Sequence, residues 1–171
     1  GHMNHIPHGA PCRCGRRGCI EAYAADYGIW REAMGARDDD APHEAIDSDA
    51  MKALLKRAEQ GDVKAVAAFE KAGEALGIGI ARLIAILNPD RIIIAGPGLN
   101  ASQIIEPSLH RGVVAGVIEE LRRNVVIEFV PFETDMILRG TIAAMLKAVD
   151  GDITAQGLAG REASVLDFSR Q

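Results

Sequence analysis

The sequence predicts an α/β fold, helix-rich, with one short pair of parallel strands. Two apolar runs of strand length, 91–95 and 125–130, are separated by a helix-like stretch covering about 103–123. A long helical pattern precedes the first run and another follows the second. Helix, strand, helix, strand, helix in that order favours a parallel pair joined by a right-handed crossover.

The elements follow in order. Pro7, Gly9, Pro11, Gly15 and Gly18 break any regular structure over 1–19. Ile20, Tyr23, Tyr27 and Trp30 then recur at helical spacing, predicting a helix to about 36. Residues 38–42 read as a solvated loop. Ser48 is a suitable N-cap for a helix to 60 that buries Met51, Leu54 and Leu55. Asp62 opens the long helix to 87, with Val66, Phe69, Gly73, Leu76, Ile80, Leu83 and Leu87 on one face. Gly73, Gly77 and Gly79 each cost that helix about 1 kcal/mol relative to alanine. Close approach of another helix accounts for them, ligand contact being the alternative. Asn88-Pro89-Asp90 stops the helix, and the run 91–95 has the continuous apolar character of a buried strand. Thr134 or Asp135 caps a last helix through 149 with Ile137, Ile142, Met145 and Leu146 inward. The organisation expected is a metal-binding loop at 1–19, an α/β body at 20–150 and a weakly periodic tail at 151–171.

Composition narrows the functions. Of 171 residues 48% are hydrophobic and 25% charged, enough to bury a core, while aromatics at 4% leave aliphatic side chains to fill it. A net charge of −5 and the lack of a basic stripe argue against nucleic-acid binding by this chain alone. No apolar run is long enough to cross a bilayer, and the opening residues lack the regions of a signal peptide. Three cysteines so close together leave one over from any disulfide scheme, which fits a reducing cytoplasm and a metal-thiolate cluster.

That cluster is Cys12-Arg-Cys14-Gly-Arg-Arg-Gly-Cys19. Gly15 and Gly18 allow the tight path by which three sulfurs converge, and zinc prefers tetrahedral thiolate and imidazole ligands. Three thiolates and one neutral imidazole around Zn²⁺ carry a net charge of −1, which Arg13, Arg16 and Arg17 are placed to offset. His2, His5 and His8 all precede Cys12 and each is a candidate fourth ligand; spacing alone does not choose. Gly1-His2-Met3 also has the form left by removal of an expression tag.

Residues 12–21, Cys-x-Cys-Gly-x-x-Gly-Cys-x-Glu, resemble the signature of the ROK group of bacterial sugar kinases and sugar-responsive repressors. The resemblance continues through Asn88-Pro89-Asp90 and the strand to Gly98, and through Arg139-Gly140-Thr141-Ile142-Ala143-Ala144, covering about 1–149. It implies the C-terminal lobe of an actin-like, ribonuclease-H-like ATPase fold with a structural zinc site. The family register places the zinc histidine on His2, leaving His5 and His8 as solvated loop histidines. It also implies that His2 and Glu21 contact sugar hydroxyls, a role suited to a carboxylate and a metal-fixed imidazole. If ATP binds, Gly96 and Gly98 belong to its loop.

The family's Asp-x-Gly phosphate loop and Asn-Asp pair, with the catalytic base, do not occur among these residues. The chain therefore reads as half of a bilobal protein, unable by itself to phosphorylate a sugar. Two departures favour a repressor over an ATP-dependent kinase. Pro97 interrupts the glycine loop and removes an N–H donor, and residues 133–138 depart from the kinases' Leu-Gly-x-x-Ala helix start. A zinc-stabilised interaction module without a ligand is the third reading. The resemblance implies a sugar effector, DNA bound through a domain outside this chain, and a homodimer or higher homo-oligomer.

Overall fold

The computed structural model describes residues 1–37, 45–96, 100–130 and 136–155. The expected first helix is two. Glu21–Ala24 (α1) and Asp26–Met34 (α2) are separated by Ala25, whose ψ of 163° is extended. Gly28 explains the break, because a Cβ there would strike the backbone of Ala22 and Tyr23 as the chain folds back on itself. α3 (Ser48–Glu59) starts one residue earlier in its cap than predicted: Asp47 holds the cap position, and no side chain caps it. Leu54 is buried there as expected, whereas Met51 and Leu55 are half-buried.

α4 (Val63–Leu87) is the spine of the fold. Asp62 caps it, its carboxylate accepting the backbone N–H groups of Lys64 and Ala65 at 3.0 and 3.2 Å. Asn88 ends it in the left-handed region, with φ of 43°. The buried face runs through Phe69, Gly73, Gly77, Ile80 and Ile84. Leu83 and Leu87, placed inside by the sequence, are exposed, because a 3.6-residue period carries the stripe to Ile84 instead.

Gly73 and Gly77 of α4 serve helix packing, whereas a Cβ on Gly79 would meet the Ile20 and Met3 side chains. α5 (Ser102–Gly116) crosses so closely that a Cβ on Gly73 would collide with Ser108 and one on Gly77 with the Leu109 carbonyl. Gly112 gives the reciprocal relief against the Glu74 carbonyl. The expected helix over 103–123 breaks at Val117, which is extended, before a single turn at Glu119–Arg122 (α6).

The strands β1 (Arg91–Ala95) and β2 (Val126–Val130) pair in parallel, Arg91 opposite Val126 through Ala95 opposite Val130. Ile92, Ile94, Ile127 and Phe129 pack towards Ile80, Ile84, Leu109 and Val113. Arg91, Ile93 and Ala95 are exposed, so among the described residues of its own unit the strand is covered on one face. α7 (Met136–Ala155) forms a second unit by itself and runs past the expected end at 149. Ile137, Ile142, Met145 and Leu146 are exposed on it rather than inward, since its own unit offers no second described element to pack on. Its expected caps, Thr134 and Asp135, and the loop 38–42 lie outside the described residues.

Candidate metal centre

Residues 1–20 form a compact knuckle held by main-chain bonds. Cys12 N–H donates to the Arg16 carbonyl at 2.8 Å, and Gly15 N–H donates back to Cys12 at 3.0 Å, closing the loop that carries Cys14. Gly18 N–H donates to Ala10 at 2.8 Å, and Ile20 N–H to Met3 at 2.9 Å. Two glycines make the path feasible. Gly15 has φ of 83° and Gly18 of 76°, and a Cβ at Gly18 would strike the Ile6 carbonyl.

This path brings four ligand atoms together. One from each of His2, Cys12, Cys14 and Cys19 all lie within 4.8 Å of one another, and all three cysteines are free of disulfides. His2 Nδ1 is 3.7 Å from Cys12 Sγ, and Cys14 Sγ is 3.7 Å from Cys19 Sγ. Cys12 and Cys19 are buried, while Cys14 is exposed at the turn. The group can hold a metal ion, as the sequence anticipated, and among the described residues His2 alone of the three histidine candidates joins it.

Burial and the neighbouring sulfurs push the Cys19 thiol up to about 12. The backbone bond at Arg16, followed by the Cys12 sulfur, holds Cys14 below its ordinary value. Crowded sulfurs therefore divide into one ready and one reluctant thiolate, which is the chemistry expected of a donor set that needs a cation to ionise fully.

The surroundings include a residue that sequence reading treated only as helix core. Tyr27, buried, donates its hydroxyl to Cys12 Sγ at 3.5 Å. Burial first, then the bond to Cys12, raises its phenol above the ordinary value, so it stays protonated and a donor. The Arg13 guanidinium lies 4.3 Å over the Tyr27 ring. An aromatic six residues beyond the Cys-x-Glu end of the motif was the signal available. Tyr23 anchors the other side, its hydroxyl accepting the Ala10 N–H at 2.9 Å.

His5 is not the solvated histidine expected. It is half-buried with its ring edge-on to Tyr23, centroids 5.2 Å apart, and burial lowers its pKa, with Arg82 adding to the effect. His8 is exposed, and its carbonyl accepts from Arg17.

Glu21 begins α1 immediately beside the knuckle. Its Oε2 is 3.5 Å from His2 Nε2, so one imidazole faces the sulfur cluster with Nδ1 and the carboxylate with Nε2. Gly96, the other described candidate, is elsewhere. It lines a cavity of about 370 Å³ with Ile29, Met51, Phe69 and Ile105, between α2, α3, α4 and α5, and Gly98 lies outside the described residues.

The ROK family model matches residues 1–147. The transcriptional dual regulator NagC of Escherichia coli K12 is 30% identical over 125 residues, covering 72% of this chain and 31% of that protein. A glucokinase of Halalkalibacterium halodurans is 36% identical over 103 residues, 56% of this chain and 31% of that protein. The crystal structure of a ROK family transcriptional regulator homologous to E. coli MLC superposes with a TM-score of 0.61 at 26% identity, over 75% of this chain and 33% of that one. The chain thus spans about a third of the length of these relatives.

Proposed function

Because the chain belongs to the ROK family, we propose that it is the C-terminal part of the sugar-effector-binding region of a ROK transcriptional repressor, with His2, Cys12, Cys14 and Cys19 holding a structural zinc ion. The observation that carries this reading is the position of the His2 imidazole, between the three-sulfur cluster and the Glu21 carboxylate. Tetrahedral zinc with Zn–S of about 2.3 Å and Zn–N of about 2.0 Å separates two sulfurs by about 3.8 Å and a sulfur from a nitrogen by about 3.6 Å. The Cys14–Cys19 and Cys12–His2 separations of 3.7 Å fit both values.

Zinc, when bound, supplies a fixed positive charge that ionises the thiols and orders the loop. The chain's own residues do the rest. With Nδ1 turned to the sulfurs to hold a metal, the proton would sit on Nε2, which faces Glu21, and tautomer and ring orientation would both be set. Glu21 Oε2 then has lone pairs left for a sugar hydroxyl. A sugar held here and by the other lobe of the full-length protein stabilises one lobe arrangement by its differential affinity, and DNA-binding domains outside this chain respond.

The kinase relatives are more identical over a shorter stretch, 36% against 30%. ATP at the Gly96 cavity is accordingly the second arm of the test. The full-length protein should be titrated calorimetrically with hexoses and amino sugars, alone and with ATP. A saturable sugar signal that Glu21→Gln weakens at least tenfold, with zinc content unchanged and no ATP turnover, is expected. Sugar-dependent ATP hydrolysis selects the kinase instead, and an unchanged affinity in Glu21→Gln removes that residue from the site.

A further inference from the structure

We propose that Cys14 is an oxidation site at which a peroxide ejects the metal, leaving a Cys14–Cys19 disulfide; this rests on the zinc reading above. The three sulfurs are unequal. Cys12 is buried and receives the Tyr27 hydroxyl bond, and Cys19 is buried beneath the knuckle. Cys14 alone is exposed, at the outer turn made by Gly15 and followed by the exposed Arg16 and Arg17. A metal-bound thiolate at that position is nucleophilic and open to a small oxidant.

The resolving thiol is already at hand. Cys14 Sγ must close from 3.7 Å to the bonded distance of about 2.05 Å from Cys19 Sγ. Gly15 and Gly18, both at positive φ, flank the segment that has to move. The competing bridge between Cys12 and Cys14 would span a single residue and carry strain, and Cys12 is tied by Tyr27 besides.

The steps balance. The Cys14 sulfur attacks one peroxide oxygen, the O–O bond breaks, and the departing hydroxide takes a proton to leave as water. The Cys19 thiolate then attacks the sulfenic sulfur; an S–S bond forms, the S–O bond breaks, and that oxygen leaves as a second water. Two thiolates lose two electrons to one peroxide. Cys12 and His2 alone would remain to hold a zinc ion, too few to retain it, and the imidazole that faces Glu21 would be freed. Peroxide stress would thereby switch off the sugar contact without chemistry at the sugar itself.

The zinc-loaded chain should be assayed for metal before treatment, then given hydrogen peroxide with a chromophoric zinc chelator and mapped by peptide mass spectrometry. Zinc release in step with one Cys14–Cys19 disulfide, Cys12 remaining alkylatable, and rebinding of zinc after thiol reduction is the expected result. Zinc retained after complete consumption of a tenfold excess of peroxide, or a bridge that includes Cys12, overturns the proposal. A chain with no zinc before peroxide overturns the metal reading beneath it, a separate failure visible at the first measurement.

Discussion

Replacing Tyr27 by phenylalanine isolates one oxygen beside the sulfur cluster. The ring stays in its buried place under the Arg13 guanidinium, so packing changes little. What disappears is the hydroxyl that donates to Cys12 Sγ at 3.5 Å and also receives the Arg13 backbone N–H. A hydrogen bond to a charged group contributes about 1.5–3 kcal/mol. At 3.5 Å to sulfur the lower end applies to Cys12, about 1.5 kcal/mol. Its loss weakens zinc binding by about tenfold, within the range for outer partners of metal ligands. Competition against a chelator of known affinity at pH 7 measures this, and chemical denaturation of the chelator-treated chain checks the fold. Zinc affinity within threefold of the parent, at equal metal-free stability, would refute the reasoning and reduce Tyr27 to a packing residue.

Two other outcomes follow from the same structure. Cys19 is raised from 9.0 to about 12, so in the metal-free chain it favours the neutral thiol more than it does unfolded. That contribution to stability is complete below pH 9 and is lost as pH rises from 9 towards 12, so chelator-treated protein should denature progressively more easily over that window; a flat profile there excludes the effect. Asp62→Ala removes the cap of α4 together with its bond to Arg57 and should cost about 1–2 kcal/mol, lowering Tm by about 3–6 °C. Asp62→Asn should recover most of it, and equal losses in the two variants would exclude capping as the cause.

The knuckle was legible because its determinants are local. Three cysteines and two glycines within eight residues specify both ligands and backbone path, and the structure closes that loop with its own main-chain bonds. The histidine that joins the three sulfurs was not legible from spacing, because the segment before Cys12 can fold several ways. Long-range pairing, Ile20 with Met3 and Glu21 with Gly1, brings His2 beside them, and no local rule encodes it. The split between α1 and α2 was missed for a related reason. Ile20, Tyr23 and Tyr27 are all buried, so helical periodicity survives the break at Ala25, and only Gly28 marks the fold-back. The strand order and parallel pairing followed from the alternation of elements, whereas one-sided burial of β1 depends on what lies beyond the sheet.

A chain with few aromatics builds its core here in two different ways, and the difference bears on the site. Between α4 and α5 glycines let the backbones meet closely, and Ile80, Ile84, Leu109 and Val113 fill the contact beside them. The first 20 residues meet α4 through side chains instead, Ile20 and Met3 lying over Gly79. Ala10, Cys12 and Cys19 pack on Tyr23, Tyr27 and Ala75, a small cluster whose largest buried members, among the described residues, are the two tyrosines. Both tyrosines spend their hydroxyls on the knuckle rather than on water. A loop with so little apolar surface cannot be held by burial alone. It follows that a cation among the four ligands would carry a disproportionate share of the order in this region, and that Glu21, which begins the helix leaving the knuckle, would be the first group to feel its loss.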